Sequence, residues 1–405
     1  MKTASHSSVR LIEKAILPKG FRAAGVAAGL KASGAPDMAM ILSDTAAAVA
    51  ATFTTNQVRA ATVRLDAARL ASVGMAYGVV VNSGQANACT GKAGAADAAE
   101  EARAAAEAVG CAEEMMWVAS TGRIGVRLEM DKIRRGIAAL AASLSPDGGE
   151  DAARAIMTTD TRPKRYTATW KAGGKRCRLT GIAKGSGMIA PNMATMLAFL
   201  ATDAAIDRRA MQKALRLAVE DTFNCISVDG DTSTNDTVML MANGRAGTTL
   251  IKPGSDGWEG FVAALAAVAG ALAEDMARDG EGAKKLVRLR VAGAKSAADA
   301  KAAVRAVGES FLVKTSWVGT YPNWGRIMDA LGYSKAKVDE TRVSIAYDGV
   351  KAVEGGVATG VKQKRLEKIL AKSVFSIDIF LGLGKGEAHL LACDCTEEYV
   401  RINKV

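Results

Sequence analysis

The chain has 405 residues, of which 49% are hydrophobic and 23% charged, and its formal net charge is +11 at pH 7. These proportions are typical of a folded globular protein and exclude collagen-like or disordered sequence. Because single cores rarely grow beyond about 250 to 300 residues, the length predicts two lobes. The basic residues are scattered and only 5% of the chain is aromatic, which disfavours a nucleic-acid partner.

The six cysteines and two histidines show no spacing typical of a metal site. We therefore expect a reduced, metal-free, cytoplasmic protein, and charges within the first twenty residues interrupt the apolar core that a signal peptide requires. The uncharged stretch 185–202 contains polar residues and a proline, so it predicts a turn that enters a buried helix, with no membrane span. The apolar run 261–273 is too short to cross a bilayer and is typical of a core helix.

Helices and strands alternate along the chain, and this predicts a mixed α/β class. Gly110 is the expected stop of one helix and Asp207 the expected cap of another. We predict a main α/β lobe over residues 1–282 and a smaller C-terminal α/β lobe over 283–405. The predicted elements, in chain order, are a strand at 77–81, helices at 95–109 and 207–219, a strand at 237–241, a helix at 261–276, and strands at 287–291, 343–347 and 375–381.

The scarcity of histidine limits the chemistry available to the chain, since Ser-His-Asp and Cys-His enzymes need a positioned imidazole. His389 lies in a strand-like run and is better explained as a packed or surface-facing strand residue. Thr195 offers another nucleophile, because it follows a small residue, Ala194, after a turn with glycine and proline. A threonine made N-terminal by cleavage carries its own base, an α-amine of reference pKa about 7.7 to 8.0. The same residues also fit the apolar start of a core helix, so the local pattern leaves both interpretations open.

A set of segments spread over nearly the whole chain, in the same order, resembles the ornithine acetyltransferase family. The segments are PKGFRAAGVAA at 18–28, VVNSGQANACTG at 80–91, STGRIG at 120–125, MTTDT at 157–161, KGSGMIAPNMATML at 184–197, VDGDTSTND at 228–236, PNWGRI at 322–327 and YVRIN at 399–403.

Members of that family process themselves and move an acetyl group from N-acetylornithine to glutamate through an acetyl-threonine intermediate, and some also accept acetyl-CoA. The resemblance implies a self-processing threonine-nucleophile fold with layered α and β elements and no cofactor. It implies cleavage between Ala194 and Thr195 into chains 1–194 and 195–405, which then associate as an α2β2 heterotetramer.

The resemblance also assigns roles to individual residues, with Thr195 as the nucleophile. Thr121 and Gly122 match the oxyanion pair, and a threonine hydroxyl and a glycine backbone N–H can both donate to a developing alkoxide. Lys184 can pair with a substrate carboxylate and Glu281 with a substrate ammonium group. The matched substrate-binding positions are Thr158, Lys184, Thr195, Glu281 and Asn403.

The chain departs from the family pattern in three ways that put substrate choice in question. The pattern continues several residues past Asn403 to a hydroxyl-bearing residue, whereas this sequence has Lys404 and Val405. The tripeptide 319–321 is Gly-Thr-Tyr instead of Gly-Glu-Asp, and arginines occupy two usually apolar positions, 123 and 162.

Two other functions compete with this hypothesis. One is a paralogous N-terminal-nucleophile amidase or acyltransferase with a different substrate, and the other is a non-catalytic scaffold that keeps the fold. The segment 228–236 lacks the glycine and terminal glutamate spacing of a calcium loop. We interpret it as a polar turn that packs against or supports the active site.

Overall fold

In the computed structural model of the chain, residues 9–189 and 196–404 are described. The predicted cleavage site, Ala194 and Thr195, lies outside them. The described residues form two compact units, the first unit comprising 9–185, 196–224 and 231–273, and the second unit 186–189, 225–230 and 274–404. The lobe boundary between 282 and 283 and the division into chains 1–194 and 195–405 stay predictions.

Helices and strands alternate along the chain, which confirms the predicted α/β class. The strands are β1 (Arg10–Ile12), β2 (Phe21–Val26), β3 (Met38–Phe53), β4 (Met75–Gln85), β5 (Met116–Arg123), β6 (Lys164–Ala172), β7 (Lys175–Lys184), β8 (Leu197–Thr202), β9 (Ile226–Ser227), β10 (Thr237–Ala242), β11 (Leu286–Ala294), β12 (Ser344–Tyr347), β13 (Val350–Glu354), β14 (Val357–Ala358), β15 (Val374–Phe380) and β16 (Gly386–Cys393). The helices are α1 (Ala61–Ser72), α2 (Gly91–Val109), α3 (Met130–Ser143), α4 (Gly149–Ala155), α5 (Arg208–Asp221), α6 (Trp258–Arg278), α7 (Ala297–Glu309), α8 (Phe311–Val318), α9 (Trp324–Tyr333), α10 (Gln363–Leu370) and α11 (Glu397–Ile402).

The sheet of the first unit folds over on itself. Within the described residues its strand order is β1-β6-β7-β8-β10-β3-β4-β5, with β2 also paired to β3. The start of the long strand β3 pairs with β4, and its end pairs with β10. Asn235, just before β10, nevertheless donates a hydrogen bond to the carbonyl of Ser120 in β5. The two halves of the sheet are therefore stacked layers, and β3 passes from one to the other.

Side chains of β3 alternate between two packing environments, as the twofold period of a strand requires. Ala39 and Ile41 belong to the core cluster that also contains residues of β8 and β10, whereas Met38 and Met40 belong to a second cluster with residues of α2 and α3. The first cluster fills the space between the sheet layers, and the second joins the outer face of one layer to its helices. This is the layered α and β arrangement expected from the sequence.

Helix α6 packs on the outer face of the sheet layer that contains β7. It is the one helix in the described part of the chain that is long and apolar enough to cross a membrane. Its Val268 and Leu272 lie against Gly181 of β7, and both side chains are buried. This contact confirms the core helix predicted for this stretch.

The second unit has its own seven-stranded sheet in the order β14-β13-β12-β15-β11-β16-β9, as far as the described residues extend. On β11 the buried Leu289 alternates with the exposed Arg288 and Arg290. Buried residues of this face form one core cluster with residues of helices α7 to α10. His389 is exposed on β16, which confirms a surface-facing strand histidine.

Local signals in the sequence located two helix ends correctly. Gly110 ends α2 with a left-handed φ of 72°, and the Asp207 carboxylate accepts a hydrogen bond from the Ala210 N–H (2.9 Å) at the start of α5. The helix predicted at the end of the stretch 185–202 is wrong, because Leu197–Thr202 is the strand β8. All six of its residues are buried, and a strand buried on both faces shows no alternation that would distinguish it from a buried helix.

The close contact between β2 and α4 should make Gly25 sensitive to a single methyl group. A Cβ at this position would lie 2.2 Å from the carbonyl oxygen of Asp151 in α4, and backbone cannot rotate away as a side chain can. We expect Gly25→Ala to lower the free energy of unfolding by about 1–3 kcal/mol, measured by urea denaturation. Gly270→Ala is the matched control in α6, where the nearest atom is 3.8 Å away. The control should be neutral or stabilising, and equal losses for both variants would contradict this packing.

Candidate functional site

The predicted oxyanion pair lies at the end of β5. Thr121 and Gly122 pair in parallel register with Ser83 and Gly84 of β4. Thr121 is buried, whereas Gly122 is exposed. Gly122 has a φ of 127°, and a Cβ there would lie 2.3 Å from the carbonyl carbon of Gly84, so only glycine fits. The pair thus combines a threonine with a glycine backbone N–H where a buried strand reaches solvent.

The residue that follows the predicted nucleophile is held on both sides. Thr195 lies outside the described residues, but the backbone N–H of Met196 donates to Oδ1 of Asp236 (2.9 Å). The Met196 carbonyl accepts a hydrogen bond from the N–H of Thr237 (3.2 Å). Burial raises the pKa of Asp236 well above its usual range, against the opposing effects of the Met196 N–H and the Lys184 charge. Burial thus favours the protonated form of this carboxyl.

Asn235 connects the same loop to β5, the strand that contains the predicted oxyanion pair. Its Nδ2 donates to the carbonyls of Ala86 (2.6 Å) and Ser120 (2.7 Å), and the whole residue is buried. Segment 228–236 thus reaches residue 120, next to Thr121, and residue 196, next to Thr195.

Thr158 and Lys184, two of the predicted substrate-binding residues, both interact with the buried carboxylate of Asp160. Its oxygens accept hydrogen bonds from the backbone N–H groups of Thr158 (3.0 Å) and Gly185 (2.7 Å) and from Nζ of Lys164 (2.6 Å). Burial alone would raise the pKa of Asp160, but the charges of Lys184 and Lys164 and the Gly185 N–H hold it well below its usual range. Asp160 is thus an ionised carboxylate in a buried setting, and it holds Thr158 and the end of the Lys184 strand.

The predicted binding residues of the second unit contact each other. Nδ2 of Asn403 donates to Oε2 of Glu281 (2.5 Å), and the Glu281 N–H donates to the carbonyl of Ser186 (2.8 Å). A Cβ on Gly187 would lie 2.4 Å from the Glu281 carboxylate. The glycine therefore leaves room for that carboxylate.

A second carboxylate, Asp229, orders the turn that contains Gly187. Its oxygens accept the backbone N–H groups of Met188 (2.6 Å) and Ile189 (2.8 Å), and the Tyr399 hydroxyl lies 3.3 Å from Oδ2. Met188 has a φ of 56°, which is rare for a residue with a side chain. The hydrogen bonds to Asp229 account for the turn holding this conformation.

Sequence reasoning named residues for direct contact with substrate and one supporting segment, 228–236, but missed other residues that hold the predicted contact residues in place. Thr121, Gly122, Thr158 and Lys184 lie in the first unit, and Glu281 and Asn403 in the second. The roles of Asp160 and Gly187 were not anticipated, although both lie in segments that carry the family resemblance. Asn235, in the polar turn expected at 228–236, contacts β5, the strand that contains the predicted oxyanion pair. Among the described residues, no group of three or more His, Cys, Asp and Glu could hold a metal ion.

Removing the charge of Asp160 should destabilise the protein strongly. Taking one partner from a buried ion pair typically costs about 3–5 kcal/mol, and we expect Asp160→Asn to lose stability in that range near pH 7. Asp151→Asn is the control, because its ion pair with Arg154 is exposed and exposed pairs contribute about 0–1 kcal/mol.

The pH dependence of this loss has a definite sign. The pKa of Asp160 is lower in the folded than in the unfolded chain, so ionisation favours folding above the unfolded value of about 3.9. The gap between wild type and Asp160→Asn should stay constant from neutral pH to about 4 and narrow only below it. A gap that closes between pH 7 and 5 would contradict an ionised Asp160.

Known proteins are similar to this chain over most of its length. A profile described as the ArgJ family matches residues 22–405. The chain is 50% identical, over 95% of its length and 96% of the other protein, to the arginine biosynthesis bifunctional protein ArgJ of Symbiobacterium thermophilum. It is 49% identical, over 95% of its length and 98% of the other protein, to the protein of the same name from Geobacter sulfurreducens. A solved chain of ornithine acetyltransferase complexed with ornithine, from Mycobacterium tuberculosis, is 42% identical over 45% of this chain and 98% of that one, with a TM-score of 0.42. The resemblance seen in the sequence is confirmed, and the chain belongs to the ArgJ family.

Proposed function

We propose that the chain cleaves itself between Ala194 and Thr195 and then carries acetyl groups from N-acetylornithine to glutamate on Thr195. As a member of the ArgJ family it is an acetyltransferase of arginine biosynthesis, and the proposal concerns how this chain performs that reaction. The observation that supports it most is the pair of contacts made by adjacent residues: Asn235 to the strand of Thr121, and Asp236 to the residue after Thr195.

Processing uses the hydroxyl of Thr195 as the nucleophile. Oγ1 attacks the carbonyl carbon of Ala194, the C–N bond breaks, and the nitrogen of Thr195 takes the proton, so that an amide becomes an ester. Water then hydrolyses the ester and releases the chain that ends at Ala194. The new α-amine of Thr195 has a reference pKa of about 7.7 to 8.0, so it is partly neutral near pH 7 and can act as a base.

Turnover uses the same hydroxyl a second time. The α-amine accepts the Thr195 proton while Oγ1 attacks the acetyl carbonyl of N-acetylornithine. The Thr121 hydroxyl and the Gly122 N–H donate to the oxyanion of the tetrahedral intermediate. Ornithine leaves with the proton from the α-amine, and the amine of glutamate then takes the acetyl group by the reverse sequence. Every step uses only groups of the chain, the two substrates and water, so we propose a reaction without a cofactor.

The charges of the proposed binding residues indicate which group of the substrate each one binds. Lys184 pairs with the substrate carboxylate, and Thr158, held by Asp160, binds nearby in the first unit. Glu281 pairs with the ammonium group of ornithine and Asn403 assists it, since an ammonium needs acceptors and a carboxylate supplies them. We further propose a cytoplasmic location, association of the cleaved chains as an α2β2 heterotetramer, and acetyl-CoA as a second donor.

Substitution of Thr195 tests the proposed processing step. Thr195→Ala should remain one 405-residue chain on denaturing electrophoresis and transfer no acetyl group, because no hydroxyl is available. Thr195→Ser keeps a hydroxyl and should be cleaved at least in part. A cleaved Thr195→Ala protein would exclude Thr195 as the nucleophile. Release of free acetate without glutamate as acceptor would favour the amidase.

Gly187 tests the role of Glu281 without changing Glu281 itself. The added methyl of Gly187→Ala would displace a flexible carboxylate, so the chain should still fold. Loss of a hydrogen bond to a charged group costs about 1.5–3 kcal/mol, so KM for N-acetylornithine should rise roughly ten- to a hundredfold with little change in kcat.

The matched control for this variant is Gly332→Ala in α9, where a Cβ would meet no atom within 4 Å. Its kinetic constants should equal those of the wild type. A Gly187→Ala enzyme with an unchanged KM would show that the Glu281 carboxylate does not hold the substrate.

A further inference from the structure

The loop before β10 contacts two strand ends that lie in different layers of the first sheet. Asn235 donates to carbonyls at the end of β5 and after β4, and Asp236 accepts the N–H just before β8. We propose that Asn235 and Asp236 are positioning residues that fix the distance between the oxyanion pair and the nucleophile's backbone, so that processing and acetyl transfer depend on them equally. The proposal rests on the function proposed above.

The hydrogen bonds of Asn235 lie on both sides of the oxyanion pair. The Ser120 carbonyl belongs to the same peptide group as the N–H of Thr121, so holding its oxygen fixes that peptide plane. Ala86 accepts the second Nδ2 hydrogen bond, and its own N–H donates to the carbonyl of Arg123 (2.9 Å), directly after Gly122. One side-chain amide thus restrains the chain before and after Thr121 and Gly122.

Neighbouring hydroxyls set the orientation of the Asn235 amide. The Thr234 hydroxyl donates to Oδ1 of Asn235 (2.5 Å), which directs Nδ2 toward the two carbonyls. The Asn235 backbone N–H donates to the Ser233 hydroxyl (3.0 Å), and the carbonyl of Thr234 accepts the N–H of Ala60. The amide is therefore fixed before any substrate binds.

Asp236 supplies the second half of this restraint. Its side chain is buried, and Oδ1 accepts the Met196 N–H, while the Asp236 carbonyl accepts the N–H of Thr54 (3.0 Å). The loop backbone is thus hydrogen-bonded to Thr54, directly after the end of β3, and the carboxyl group is hydrogen-bonded to the residue after Thr195. An amide of the same shape keeps an oxygen at the position of Oδ1, which can accept the Met196 N–H.

Both proposed reactions pass through an oxyanion, which forms on the oxygen of the carbonyl group that the Thr195 hydroxyl attacks. A displacement of about 1 Å between reacting groups can cost 10²-fold in rate. A change in the distance between the oxyanion pair and the backbone of the nucleophile should therefore lower the rate of processing and kcat together. KM should stay constant, since substrate binding is proposed for other residues, Lys184 and Glu281.

Asn235→Asp tests the first residue, since it keeps the size and removes the two N–H donors of Nδ2. The processing rate, followed as the appearance of the 195–405 chain during cell-free synthesis, should fall about ten- to a hundredfold. The kcat per cleaved chain should fall by the same factor, with KM within twofold of the wild type. The matched control is Asn243→Asp at the other end of β10, whose Nδ2 also donates two hydrogen bonds, to Lys19 and Ser43 (both 3.1 Å). It should leave both rates unchanged.

Asp236 provides a second pair of variants that does not depend on Asn235→Asp folding. Asp236→Asn keeps an acceptor for the Met196 N–H and should process and turn over within about threefold of the wild type, whereas Asp236→Leu should lose both rates together. Equal stability of the two variants with unequal rates would separate positioning from folding.

The inference is overturned if Asn235→Asp or Asp236→Leu slows only one of the two reactions, raises KM while kcat is kept, or matches the wild type. Wild-type protein that is not cut before Thr195, or that transfers no acetyl group, would instead contradict the proposed function. Wild-type protein that does both, with unaffected variants, would contradict this inference alone.

Discussion

Backbone groups at the ends of buried strands must find hydrogen-bond partners, because an unpaired group costs several kcal/mol when water is excluded. In the first unit, side chains from distant parts of the chain meet this requirement. Asp160 holds the end of β7, Asn235 the end of β5, and Asp236 the start of β8. Lys184, the pair Thr121 and Gly122, and Thr195, which are proposed to bind substrate or to react, are next in sequence to the residues held at these strand ends. The same hydrogen bonds that complete the fold therefore also fix the geometry of the site.

The two buried aspartates show how the pKa of the same residue type can be shifted in opposite directions. Asp160 lies beside the ammonium groups of Lys164 and Lys184, and their charges outweigh burial and keep it ionised. At Asp236 burial is the larger effect, and the pKa is raised. An ionised Asp160 can fix the buried ammonium group of Lys164.

Much of the secondary structure could be predicted, because its signals are local. Gly110 and Asp207 end and begin helices through contacts within a few residues of themselves. The strand β8 could not be recognised, since burial on both faces removes the alternation that identifies a strand. The resemblance assigned Thr121 to the oxyanion pair and Lys184 and Glu281 to substrate binding, and these assignments stay predictions.

The residues that support the site were harder to find, because their contacts join distant parts of the chain. Asn235 contacts Ser120 across 115 positions, and Asp160 contacts Gly185 across 25. No spacing rule links such pairs. These contacts depend on how β3 passes between the two sheet layers and on which strand ends the layers bring together. Neither feature can be predicted from a single segment of the sequence.

The central claim is that Thr195 carries the acetyl group on a chain that begins at that residue. Rapid acid quenching of the wild-type protein with N-acetylornithine in the absence of glutamate, followed by peptide mass spectrometry, tests it directly. The account predicts one added acetyl group on the peptide whose first residue is Thr195, and its disappearance when glutamate is supplied. An acetyl group on any other residue, or an intact bond between Ala194 and Thr195 in active protein, would contradict it.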